Sequence, residues 1–192
     1  MDFKGDYKIW QELNEETAPK EIFSGTNQGI DALYKEYSPE IKLIKETGTI
    51  LDFACGVGRN SIELCKQFDK VLCYDFPNMI NMFASTEVYK KNAIKIGLFS
   101  NWDIVKTRKV SAILCCLALQ HINSLDLDVY LQDFKHMSHN LYVRGRSYND
   151  WEGMNVYEIL IKHWKLANSY SKTEEEIRKA TGEEHYFIKL TW

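Results

Sequence analysis

The chain has 192 residues, with 24 lysines and arginines against 27 aspartates and glutamates and a formal net charge of −3. That length fills one hydrophobic core and is short for two, so one domain spanning 1–192 is expected. Without a basic excess a protein that lives on phosphate contacts is disfavoured, and no apolar run approaches the roughly 20 residues that cross a membrane.

The polar start, Met1-Asp2-Phe3-Lys4, does not read as a signal peptide. Cys65, Cys73, Cys115 and Cys116 fall inside apolar patterns and Cys55 in a turn. Reduced thiols in a soluble, cytoplasmic protein are the expectation.

Tyr7, Ile9, Trp10 and Leu13 suggest a short amphipathic helix within an N-terminal segment, residues 1–24. Ile30, Leu33, Tyr34 and Tyr37 keep helical spacing, and Ser38-Pro39-Glu40 restarts it with a capping serine and a proline at the first helical position. Two helices therefore precede residue 49, the second ending at Gly48.

Residues 49–75 organise the chain. Thr49 to Phe53 is a short apolar run carrying Asp52, Gly56 and Gly58 follow in a turn, and Ile62, Cys65 and Phe68 share a helical face. Val71 to Tyr74 then closes on Asp75. Strand, turn, helix and strand with an acid at the end are half of a nucleotide-binding fold. The glycines let backbone pass close under a ligand, and Gly58 lets the next helix pack on the strand. Asp75 is placed to accept two hydrogen bonds from a ribose. A pyrophosphate would be repelled by Asp52, whereas a ligand with positive charge near its ribose would be attracted.

Asp52-Phe53-Ala54-Cys55-Gly56-Val57-Gly58 resembles motif I of the class I, Rossmann-like S-adenosylmethionine-dependent methyltransferases, with Ala54 replacing one glycine. That replacement requires a negative φ at position 54. The resemblance implies an α/β fold, a mostly parallel sheet between helical layers with an N-terminal helical lid, and S-adenosylmethionine as cofactor. It implies that Asp52, Ala54, Gly56, Gly58, Asp75 and Phe76 contact that cofactor. Tyr7 and Trp10 then line the acceptor pocket or merely dock the N-terminal helix.

Pro77 opens a helix with Met79, Ile80, Met82 and Phe83, and Ile94 to Phe99 is the third strand. In the family an acid beside an apolar side chain follows this strand and receives adenine. Asp103 and Trp102 offer those chemistries; the alternative is a helix cap at Asn101 or Asp103 with Trp102 in the core. Val110 to Leu119 is the most apolar stretch and reads as a central strand, ending in Gln120 and His121. By the same resemblance this end faces the transferring methyl, with Leu117 at the cofactor and Gln120 at the acceptor, although Ser111 replaces the usual acid. No Asn-Pro-Pro-Tyr-like or Pro-Cys sequence of nucleic-acid methylating enzymes is present.

Ser124 caps a helix with Leu127, Tyr130, Leu131, Phe134 and Met137 on one face; His136 and His139 on it read as solvent-facing rather than as metal ligands. Leu141 to Arg146 is the fifth strand, with Arg144 and Arg146 on one face, suited to an acceptor anion or to surface acids. Tyr148, Asn149 and Asp150 follow in a loop that open α/β sheets place beside the ligand cleft. Val156, Ile159, Leu160 and Trp164 make a helix, Thr173 to Glu176 is a capping box, and His185 to Trp192 alternates as a final strand. Family members end in two strands; one is readable, so a shortened or rearranged sheet edge is expected.

The activity so implied is methyl transfer to a small polar acceptor, chiefly by positioning, with His121, Tyr148 or Asp150 taking any proton. A non-catalytic S-adenosylmethionine-binding partner subunit, or another reaction on the same cofactor or fold, stands as the alternative.

Overall fold

Among the described residues seven short runs pair into one sheet, and six of them carry β-branched or aromatic side chains. The structure is a computed structural model and describes residues 9–17, 34, 37–146, 155–173, 175–176 and 185–192. Strands β1 (Thr49–Phe53), β2 (Lys70–Tyr74), β3 (Ile96–Phe99), β4 (Ala112–Cys116) and β5 (Asn140–Arg146) are parallel, and β6 (Lys165–Ser169) and β7 (His185–Thr191) complete the order β3-β2-β1-β4-β5-β7-β6. β7 lies antiparallel between β5 and β6.

The helices are α1 (Arg59–Leu64), α2 (Pro77–Ser85), α3 (Glu87–Asn92), α4 (Trp102–Val105), α5 (Ser124–Met137) and α6 (Val156–His163). Period-two alternation sorts the central strands into two cores. Leu51, Ile113 and Leu141 join α5 and α6, whereas Ile50, Leu114 and Tyr142 join Leu64 of α1 and Phe83 of α2. Helices thus cover both faces, as a parallel sheet requires.

Several elements depart from expectation. Pro39–Leu43 is a single 3-10 turn whose Ser38 makes no side-chain cap and donates its hydroxyl to Glu40 instead. It ends at Ile44, and Gly48 is the positive-φ residue leading into β1. Asn123, not Ser124, caps α5, accepting from the Asp126 N–H. That helix stops at Met137, so His139 lies beyond it and stacks on Trp192.

The sheet edge is complete. Lys165–Ser169 forms β6 although its residues are exposed or half-buried. An edge strand buries little, so no alternating apolar pattern announced it. Just before β1, Glu46 accepts from Tyr142 and Lys189, both at 2.6 Å, and against its burial the two bonds hold its carboxyl below the usual range.

Thr173 and Glu176 satisfy each other's backbone and side chain as a capping box. Tyr7, Tyr148, Asn149 and Asp150 lie outside the described residues. Among the described residues no helix is long and apolar enough to cross a membrane, and no cluster of three acidic, His or Cys side chains could hold a metal.

Candidate functional site

The carboxyl ends of β1, β2 and β4 meet around the turn after β1. Ala54, Gly56 and Gly58 all have positive φ, at 54°, 57° and 81°. Ala54 therefore takes the left-handed conformation that the sequence reading denied it, because the chain must bend sharply enough for the Cys55 N–H to reach the Tyr74 carbonyl. Alanine bears a cost of about 1–2 kcal/mol there. Ala54→Gly is accordingly expected to stabilise the protein by about 1 kcal/mol, read as a raised urea midpoint at constant slope.

A Cβ on Gly58 would lie 2.0 Å from the Phe83 ring, so its bare backbone also admits α2. A Cβ on Gly56 would meet only Met79 at an ordinary 3.6 Å. Its constraint is conformational.

Two acids flank the turn. Asp52 is 1% exposed and accepts the Ser61 hydroxyl at 2.6 Å. Burial raises it to about 7, with the Ser61 bond opposing and the charge of Asp75 assisting. Asp75, at the carboxyl end of β2, accepts from the Gly56 N–H at 2.6 Å and the Phe76 N–H at 2.7 Å. Burial raises it to about 6 against those two bonds, although one edge of the residue still reaches solvent. A carboxylate has about four acceptor positions, so about two remain for further donors.

After β4 the chain turns at Leu117, whose φ of 56° is rare for a bulky side chain, and its N–H bonds the Arg144 carbonyl. A 3-10 turn, Leu119–His121, follows. The Gln120 amide donates to the Leu117 carbonyl at 2.9 Å and lies 3.4 Å from His121 Nε2. Gln120 and His121 thus stand just beyond the carboxyl end of β4.

Trp102 joins Phe53, Tyr74, Tyr130 and Phe134, with ring centroids between 5.0 and 6.3 Å apart. Its indole donates to Asp133 at 2.7 Å. Asn101 caps α4, and Asp103 is exposed and paired with Lys106 at 2.6 Å. Trp102 is thus half-buried among aromatic neighbours, with the helix cap supplied by Asn101.

Arg144 is also engaged within the protein. It reaches the Ser38 hydroxyl at 3.1 Å, His185 at 3.4 Å and Glu40 at 3.7 Å. Arg146 stands on the same face two residues on, opposite His185. Ser38 and Glu40 come from the 3-10 turn and His185 from β7, so the identity of these partners was not legible in sequence.

The N-terminal segment crosses this region. Residues 9–12 form a helical turn. Trp10 meets the His121 ring edge-on at 5.5 Å, and Leu13 is buried with Val57, Met79 and Met82. Asn78 donates its side-chain amide to the carbonyls of Trp10 and Leu13, at 2.8 and 2.9 Å. Sequence reasoning missed Asn78 and Ser61, and read Leu13 only as part of the N-terminal helix; their partners come together only in the folded chain.

No family model and no curated protein matches the chain. Solved structures do. The magnesium protoporphyrin IX methyltransferase ChlM from Synechocystis PCC 6803, with bound SAM, is similar at a TM-score of 0.65 and 12% identity, over 100% of this chain and 97% of its own. A TehB-like SAM-dependent methyltransferase from Corynebacterium glutamicum is similar at 0.60 and 15%, over 98% and 97%. TrmK from M. capricolum, in complex with S-adenosylhomocysteine, is similar at 0.57 and 15%, over 81% and 68%. Sheet order and these neighbours agree: the chain has the fold of the class I S-adenosylmethionine-dependent methyltransferases.

Proposed function

We propose that the chain binds S-adenosylmethionine over the Gly56 turn and transfers its methyl group to a small polar acceptor. The observation that carries this reading is the pair of acids on a turn of left-handed residues, Asp52 buried beneath it and Asp75 at the strand end. The chemistry of the donor set fits. Asp75 has acceptor positions left for two ribose hydroxyls, Phe76 and Leu117 are apolar neighbours for adenine, and the two acids favour a cationic ligand. Bound cofactors named for ChlM and TrmK support the same choice.

The cofactor would supply an electrophilic methyl carbon, and the protein's task is to hold the acceptor in line with it. Gln120 and His121 stand at the β4 end to orient a polar acceptor, and His121 takes a proton where the acceptor must lose one. Trp10 closes one side as an aromatic wall. Arg144, held by Glu40 and Ser38, stiffens the neighbouring strand end rather than offering a free guanidinium.

The test is incubation with S-adenosylmethionine labelled in its methyl group and fractionated metabolite extracts, followed by mass spectrometry for a gain of one methyl. Binding of the cofactor with labelled product in one fraction is expected. Tight binding without turnover in any fraction would make the protein a binding subunit. Binding of nicotinamide dinucleotides in preference to S-adenosylmethionine would overturn the assignment altogether.

A further inference from the structure

The N-terminal turn is fastened on both sides of the β1 turn. In the sheet β1 lies between β2 and β4. Asn78 belongs to the segment after β2, and His121 to the segment after β4. A chain that reaches both must pass across the carboxyl end of β1. Trp10 and Leu13, three residues apart, do this: Trp10 touches His121, and the carbonyls of both residues are held by Asn78. Beneath them Leu13 seals against Val57 of the glycine turn itself, with Phe76 and Trp10 packed on the same cluster.

The fastening is specific. Asn78 is the second residue of α2, three positions beyond Asp75. Its amide supplies both hydrogens to carbonyls 65 and 68 residues away in sequence. Neither carbonyl can be served by a carboxylate or an alkyl group at that position. The same three-residue span thus joins the end of β2, which would hold the ribose, to the strap above.

We infer that Asn78 is a positioning residue that latches the N-terminal strap over the cofactor turn, so that the strap must unlatch before cofactor or its product leaves. The inference rests on the cofactor reading given above. It has a further consequence for the acceptor: the Trp10 and His121 rings meet only while the strap is latched, so the acceptor wall is complete only in the closed state. Cofactor entry precedes acceptor binding, and release of the demethylated product follows strap opening.

The experiment uses the full chain and S-adenosylhomocysteine. Dissociation and association rates are measured by stopped flow for wild type, Asn78→Asp and Leu13→Ala, together with hydrogen exchange across residues 9–17. Asn78→Asp keeps the size of the side chain but loses both donors, and Leu13→Ala removes the strap's apolar anchor on Val57, Met79 and Met82 while leaving the Asn78 amide in place. In both variants dissociation should accelerate about tenfold or more, the effect of losing about two hydrogen bonds or one apolar anchor, while association is not slowed. Bound S-adenosylhomocysteine should slow exchange at 9–17 in wild type and fail to do so in Asn78→Asp. A role confined to fold stability would lower the melting temperature and leave the dissociation rate of the folded protein unchanged. Unchanged dissociation in both variants overturns the latch. Absence of S-adenosylhomocysteine binding to wild type overturns instead the cofactor reading on which it stands.

Discussion

Gly58→Ala is expected to destabilise the protein by about 2–5 kcal/mol, combining overpacking with a left-handed conformation that alanine resists. The added Cβ would sit 2.0 Å from the Phe83 ring at a φ of 81°. Phe83 cannot step aside cheaply. It is fully buried in the core between β1, β2 and α2, edge-on to Tyr89 at 5.4 Å. Gly56→Ala supplies the control, because its Cβ would find ordinary contact at 3.6 Å and face only the conformational cost of about 1–2 kcal/mol. Urea unfolding of the two variants reads the difference directly. Equal losses would show that Phe83 repacks and that the turn, not the α2 contact, sets the cost.

The same neighbourhood shows what a sequence can and cannot disclose. The β1, turn, α1 and β2 unit was legible because each piece obeys a local rule: apolar runs of strand length, glycines where φ is positive, an acid closing the second run. The buried β4 was legible for a similar reason, since a strand covered on both faces is apolar throughout. β6 obeyed no such rule. Its place is set by pairing with β7, and its exposed side chains carry no pattern of their own.

Site residues divide along the same line. The place of Asp75 could be read because it depends only on where β2 ends. Asn78, three residues later, could not, because its partners come from the far end of the chain. Ala54 was misjudged for a related reason: the rule that left-handed positions take glycine is a preference of about 1–2 kcal/mol, and a tightly tied turn overrides it. Trp102 was legible as a strand-end aromatic, but its bond to Asp133 on α5 and its neighbouring rings were not, because they come from other elements.

Asp75→Asn is expected to weaken S-adenosylmethionine binding by about 1.5–3 kcal/mol at neutral pH, the range for hydrogen bonds to an ionised group. An amide offers one acceptor oxygen, whereas Asp75 serves two backbone N–H donors before any ligand arrives. The variant therefore loses part of the turn's anchorage as well as the ribose contact. The pH dependence distinguishes charge from geometry. Asp75 is raised from 3.8 to about 6, so between those values the folded protein holds more protons than the unfolded chain. Stability of the ligand-free protein should fall as pH rises through that window, and Asp52, raised from 3.8 to about 7, extends the decline. Ligand binding runs in the opposite sense. Ribose hydroxyls donate best to the ionised carboxylate, so binding expels a proton and affinity should rise with pH through 6. At pH 5 about a tenth of Asp75 is ionised, which predicts roughly tenfold weaker binding than at pH 7. Calorimetry of wild type and Asp75→Asn at pH 5, 6 and 7 gives the ratio of affinities, in which contributions from Asp52 largely cancel. That ratio should shrink about tenfold from pH 7 to pH 5, as one proton is taken up. A ratio that stays constant would mean that Asp75 acts through its backbone bonds to the turn and not through a charge presented to the cofactor.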